Sequence, residues 1–279
     1  MASCDDELPQ RRDALESDLS ELVKKVRAQT PARLLAGRSG AAYRTHTQLE
    51  LRQAHAAARD AVRTELNLLP NSTNDLGEEF ARQWNLFEVC SQAASKDEYL
   101  LRPDLGRHLN DASRAELSRR CTTGRDLQIA IGDGLSVTAV ARQVPQLLPL
   151  LCDGAHTRGW SVGEIFVIRY CRVGILNQIG ELLTPKVAVL LIGERPGLAT
   201  AESLSAYMAY QPKTLDTDAN RNLISNIHAR GVSSEQAARR ILDLADSMIK
   251  TRASGCQLRE ELTPSTQNAH VPTISRTAR

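Results

Sequence analysis

Apolar residues recur along this chain with two different periods, and the change of period divides it. Over residues 13–28, Leu15, Leu19, Leu22, Val23 and Val26 return at helical spacing, with basic residues in the last turn and Pro31 beyond it. A second helical pattern runs over residues 47–65. Its apolar stripe is Ala54, Ala57, Ala58, Ala61 and Val62, and Thr47 with Glu50 is its expected capping box. Gly37-Arg38-Ser39-Gly40 reads as an exposed turn and residues 71–75 as a loop. Residues 76–94 also read as helical, and Arg102-Pro103-Asp104 as a turn into a short helix.

From Asp126 the pattern changes. Residues 127–131, 164–170 and 187–192 are apolar runs, and the last is Val-Ala-Val-Leu-Leu-Ile without a polar interruption. Runs of this kind suit strands covered on both faces. Helical patterns at residues 138–151 and 175–183 separate them. The succession predicts an α/β fold, a Rossmann-like parallel sheet flanked by helices, preceded by a mainly helical N-terminal part. A short segment at residues 203–210 and a polar run at 221–228 follow, then a helix opened by Ser233 with Gln236 and stopped at Gly255. The expected organisation is a polar segment and amphipathic helix (1–29), a mainly helical part (30–122), an α/β ligand-contacting domain (123–258) and a disordered tail (259–279).

Composition narrows the partners. A net charge of +2 argues against a dedicated nucleic-acid binder. No apolar stretch approaches the roughly 18 residues of a membrane span, and the N-terminus is charged where a signal peptide is apolar. The six cysteines form no C-x-x-C pair, so reduced structural thiols in a cytoplasmic protein, and no metal site, are expected.

A parallel sheet would gather three strand ends on one rim: Asp133-Gly134-Leu135-Ser136, Arg169-Tyr170-Cys171-Arg172-Val173 and Gly193-Glu194-Arg195-Pro196-Gly197. None is a complete catalytic motif. Gly132 and Gly134, with Val137 in third place, fall one glycine short of G-x-G-x-x-G. Asp133 with Ser136 lacks the G-x-S-x-G elbow of a hydrolase. No catalytic residue is therefore assigned.

Those rim segments belong to a longer series. It contains Thr30-Pro31-Ala32-Arg33, Gly37-Arg38-Ser39-Gly40, Arg102-Pro103-Asp104-Leu105-Gly106-Arg107, Gln178-Ile179-Gly180-Glu181, Glu202-Ser203-Leu204-Ser205 and Ile224-Ser225-Asn226-Ile227-His228. In this order, over about residues 30–258, the series resembles the small (light) subunit of ethanolamine ammonia-lyase. The resemblance implies an adenosylcobalamin enzyme that converts ethanolamine to acetaldehyde and ammonia by a radical mechanism. It implies a hetero-oligomer in which a large subunit holds substrate and catalytic groups while the small one holds the cobalamin. Val173, Glu194 and Leu223 carry over as the cofactor contacts. Leu223 stands where many relatives have Cys, and Ala54 where they have Asp. A subunit that has lost the cofactor and serves as a scaffold is the alternative. In some members the N-terminal helix directs the enzyme into a protein-shelled bacterial microcompartment. Asp153-Gly154-Ala155-His156-Thr157-Arg158-Gly159 is one residue too long for the D-x-H-x-x-G of another cobalamin class, and reads as a helix-to-strand connection.

Overall fold

The computed structural model describes residues 20–29, 34–66, 76–197 and 200–258. Residues 20–29 form helix α1. A hairpin of β1 (Arg38–Ser39) and β2 (Ala42–Tyr43) follows, and then α2 (Thr45–Arg63), all largely exposed. The starting segment 13–19, the loop 71–75, the Thr30–Arg33 motif and the tail 259–279 lie outside the described residues. Helix α2 begins two residues earlier than its capping-box pattern suggested. Thr47 is thus inside the helix, and the N-cap, Arg44, makes no side-chain cap.

The centre is a six-stranded sheet of β3 (Phe87–Cys90), β4 (Leu127–Gly132), β5 (Phe166–Arg169), β6 (Val187–Gly193), β7 (Leu204–Tyr210) and β8 (Asn222–Ile227). Its order is β3-β5-β4-β6-β7-β8. Strands β3, β5, β4 and β6 are parallel, the last three as expected, while β7 adds antiparallel to β6 and β8 antiparallel to β7. The mixed sheet follows from connection length: Gly193 and Leu204 are too close in sequence for the crossover helix a parallel return needs. Strand β3 lies within the segment read as helical. Only α3 (Glu78–Gln83) is helical there, and Phe87 to Cys90 alternate between covered and open positions as an edge strand does.

Helices wind on both faces. After β4, α6 (Val137–Thr157) crosses one face, where α8 (Ser234–Thr251) joins it. Leu147, Leu151, Ile241 and Met248 there pack with Ile129, Val189, Leu191, Met208 and Ile224. On the other face, α5 (Asp111–Arg120) and α7 (Leu176–Leu183) set Leu117, Leu176, Ile179 and Leu183 against Ala130, Phe166, Ile168, Ala188 and Leu190. Burial of this kind contributes about 1.5–3 kcal/mol per large side chain. Helix α6 runs past the expected end at Leu151 to Thr157. Asp153 to His156 are therefore helical rather than a connection. Gly154 is tolerated inside the helix because α8 comes close: a Cβ there would stand 2.3 Å from Leu242 Cδ1. Ser233 does cap α8, accepting from Gln236 N, but the helix ends at Thr251, with Arg252 left-handed, before Gly255.

Candidate functional site

The ends of β4, β5 and β6 meet as the parallel pattern predicts, and a buried carboxylate ties the end of β4 to that of β5. Asp133 is 1% exposed. Its Oδ2 accepts from Tyr170 N at 2.9 Å and its Oδ1 from Cys171 N at 2.9 Å. Lys96 Nζ lies 3.9 Å from Oδ2 and donates to Gly134 O at 3.3 Å. Burial pushes the Asp133 carboxyl up against the Lys96 charge and the two N–H bonds, and pulls the Lys96 ammonium down. Tyr99, fully buried, donates its hydroxyl to Cys171 O at 2.9 Å and carries the Arg172 guanidinium 4.3 Å above its ring. Lys96 and Tyr99 come from α4 (Lys96–Leu101), whose N-cap Ser95 accepts from Glu98 N while Glu98 Oε2 accepts from Ala94 N. The Ser-x-x-Glu spacing is the sequence signal that marks this helix.

The glycines of this rim serve packing. Gly134 has φ 58°, and a Cβ on it would stand 2.3 Å from Gly193 O. A Cβ on Gly193 would stand 2.0 Å from Ser136 O. Leu135 N donates to Gly193 O at 3.0 Å, so the near-miss dinucleotide loop is filled by the end of β6. Ser136 is fully buried, caps α6 by accepting from Ala139 N, and donates its hydroxyl to Ala201 O. It is a structural hydroxyl, which disposes of a serine-hydrolase arrangement with Asp133.

Val173 and Glu194 line one cavity of about 380 Å³, with Leu135, Arg172, Ile192 and Tyr207 among its other walls. Val173 opens the 3-10 turn that leads into α7. Glu194 follows β6, and its carboxylate accepts from Ser203 Oγ at 2.8 Å and from Ser205 Oγ. Leu223 is not in that cavity. It stands opposite Tyr207 in the β7–β8 pairing, on the same face of the sheet, and is 46% exposed. On that face β8 presents Leu223 and Ser225 to solvent, whereas Ile224 and Ile227 are buried on the other. The three expected contact residues thus border one surface that begins in a crevice and continues onto an uncovered strand pair.

A second cavity, of about 580 Å³, adjoins the first through Arg172, Val173 and Tyr207. Arg107, His108 and Arg221 also line it. Sequence reading had not joined Tyr99, Tyr207 or Arg221 to the rim. The period-two series Ser203, Ser205, Tyr207 was the available hint that β7 turns a polar face to it.

His228 belongs to a turn. Its Nδ1 accepts from Arg230 N at 3.2 Å and its Nε2 donates to Asn226 Oδ1 at 2.7 Å. Burial, with Arg230 adding to it, pulls it below the ordinary histidine value. Burial pushes the Cys121 thiol up to about 11 and Cys152 up to about 12, and Cys171 also rises, so these stay protonated. Among the described residues no cluster of three or more His, Cys, Asp or Glu is placed to hold a metal ion, and no helix is long and apolar enough to cross a membrane.

Fold and rim together define the class: a doubly wound α/β chain with an open crevice at its strand ends, where Asp133, Lys96 and Ser136 are bound up in structure. Comparison with known sequences then narrows the class. The family model described as ethanolamine ammonia-lyase light chain matches residues 20–259. An ethanolamine ammonia-lyase small subunit from Clostridium perfringens is 41% identical over 239 residues, covering 86% of this chain and 78% of the relative. One from Fusobacterium nucleatum is 39% identical over 258 residues, covering 88% and 84%. A third, from Clostridium acetobutylicum, is 38% identical over 247 residues, covering 88% and 96%. The chain belongs to the ethanolamine ammonia-lyase light-chain family, and is a small subunit of an ammonia-lyase.

Proposed function

We propose that this chain holds adenosylcobalamin against the large subunit, giving one wall of the cofactor site and none of the groups that act on ethanolamine. The observation that carries the reading is the one-sided surface shared by Val173, Glu194, Tyr207 and Leu223. A corrin is a broad, flat ring with apolar edges and amide side chains. Val173, Tyr207 and Leu223 offer apolar packing, and Glu194 offers an acceptor for amide N–H groups. Ser203 and Ser205 occupy two of the roughly four lone-pair positions of that carboxylate, which orients it and leaves capacity for a ligand. The residues fit such a group. The surface is open on its far side, which is where the second subunit of a hetero-oligomer belongs. When bound, the cofactor supplies the radical chemistry that converts ethanolamine to acetaldehyde and ammonia. This chain's residues bind and orient it.

The test is reconstitution. Chain, large subunit, adenosylcobalamin and ethanolamine together should yield acetaldehyde, and omission of this chain should abolish it. No product from the complete mixture overturns the reading. Spectroscopic titration of the assembled complex with cobalamin separates it from the scaffold alternative, which predicts normal assembly without cofactor binding. The reading extends to location: exposed Leu22 on α1 suits a docking helix for a microcompartment shell. A reporter carrying residues 1–28 should then gather in the compartments of a shell-forming host, and diffuse fluorescence there refutes it.

A further inference from the structure

A third cavity, of about 880 Å³, opens at the end of the sheet remote from the crevice. Lys186, just before β6, Tyr210, which ends β7, and Arg252, just past α8, stand around it, and segment 213–220 adds a further side. Its frame is tightly held. Ser254 Oγ accepts from Tyr210 N at 3.1 Å and donates to Asn220 O at 2.7 Å. Gly255 has φ 71°, and a Cβ on it would stand 2.0 Å from Ala219 O. Gln211, at φ 41°, and Arg252, at φ 55°, are left-handed without being glycine. Residues with side chains disfavour that conformation, so the hollow keeps its shape against local backbone preference.

The charges around it do not cancel. Lys186 is matched by Asp126 at 2.7 Å. Asp216 is drawn into its own turn, where Oδ2 accepts from Lys213 N at 2.8 Å. Lys213 and Arg252 are exposed, and among the described residues the side chain of neither has a hydrogen bond or an ion pair. The Tyr210 hydroxyl and the Gln211 and Gln257 amides are likewise without hydrogen-bond partners there. Ile249 and the Tyr210 ring, both partly buried against the core, supply an apolar wall. Two reachable, unmatched cations beside neutral donors and an apolar wall suit an anion with an organic body. The volume falls within the roughly 300–1,000 Å³ of small-molecule sites.

We propose that this cavity binds a small organic anion carrying two negative charges, a phosphate monoester or a dicarboxylate, at a site separate from the cobalamin crevice. Arg252 takes a pair of anionic oxygens through its guanidinium, and Lys213 adds a point charge from a different element. Tyr210 donates its hydroxyl, and the organic body lies against its ring and Ile249. Asp216 lines this cavity and the second one alike, so the occupant rests against the back of a segment that also walls the second cavity.

Calorimetric titration of the complex of this chain with the large subunit tests it, with adenosine 5′-monophosphate and succinate as probes at low salt. Lys213→Gln and Arg252→Gln remove the two charges, and thermal melting checks that both fold. Lys250→Gln is the control, since Lys250 pairs with Asp246 and lies outside the lining. One probe or both should bind, and each variant should weaken that binding about fivefold or more. The control should leave it within about twofold. Cys256, exposed and on the same lining, should be alkylated more slowly with probe bound, as peptide mass spectrometry reads. Binding of the monophosphate alone assigns a phosphate ester, and of succinate alone a dicarboxylate. The site falls if neither probe binds, if the two variants leave binding unchanged, if Lys250→Gln weakens it as much as they do, or if Cys256 stays unprotected. None of these results touches the cobalamin reading.

Discussion

Replacing Asp133 by Ala should be among the costliest single changes in this chain. The side chain is sealed in, and removing it strands the N–H groups of Tyr170 and Cys171, each worth about 1–3 kcal/mol when left unsatisfied. It also leaves the Lys96 ammonium buried without its countercharge, the situation that makes breaking a buried pair cost about 3–5 kcal/mol. Part of this last cost is relieved, because burial already pulls Lys96 toward its neutral form and Gly134 O still accepts from it. The terms add to about 5–11 kcal/mol before that relief, comparable with the 5–15 kcal/mol, roughly, that holds an ordinary domain folded. Asp133→Asn keeps one acceptor and should cost about half as much. Urea denaturation followed by circular dichroism measures both. The double variant Asp133→Asn with Lys96→Met removes the stranded charge and should recover about 1 kcal/mol or more over Asp133→Asn alone. A loss below about 1 kcal/mol in Asp133→Ala, or no recovery in the double variant, would refute the account of this rim as a carboxylate clamp.

Gly134→Ala should lower the melting temperature by well over 5 °C, since its Cβ meets backbone of β6 that cannot yield; a melting curve matching wild type contradicts that close approach. His228 is neutral in the fold with a depressed pKa. Its contribution is therefore complete above the unfolded value of about 6.5 and is lost as pH falls through the folded one. Melting temperatures from pH 7.5 to 5 should fall more steeply for wild type than for His228→Gln, and parallel slopes would exclude this histidine as a source. Because Leu223 offers packing, Leu223→Cys should hold cobalamin affinity within about threefold, whereas Leu223→Asp should weaken it about tenfold or more; the reverse order in titrations of the complex would point to thiol chemistry. Cys256 should react with a thiol reagent in the native protein, and Cys152 and Cys171 only on unfolding, as colorimetric titration will register.

Strands β4, β5 and β6 were legible because helices cover both their faces, which leaves unbroken apolar runs with no helical period. Strand β3 was not, since four half-covered residues between helical patterns carry too little periodicity to outweigh their flanks. Strand β8 was hidden by Asn222, Ser225 and Asn226, polar because one of its faces is open. The end of α6 was misplaced because Asp153-Gly154 resembles a loop, and only the closeness of Leu242 explains a helical glycine. Strand ends alone put Val173 and Glu194 on the rim, while their part as ligand contacts was implied only by the resemblance. Tyr207 and Arg221 were not legible, because strand pairing and the course of the segment between β7 and β8 place them, and neither leaves a mark at short range.

The open face of β7 and β8 separates two kinds of selection. A residue such as Ile224, pressed under α8, cannot change without disturbing the core, whatever the chain does for the enzyme. Leu223, one position earlier and turned the other way, lies outside the core and is held in its own fold mainly by its strand neighbour Tyr207. Exchange there is free to drift until it meets whatever lies against the surface. Variation at Leu223 and Ser225 therefore records the shape of the occupant and the partner, almost uncontaminated by the demands of folding. A library randomised at these two positions, sorted on binding alone, would read out that record directly.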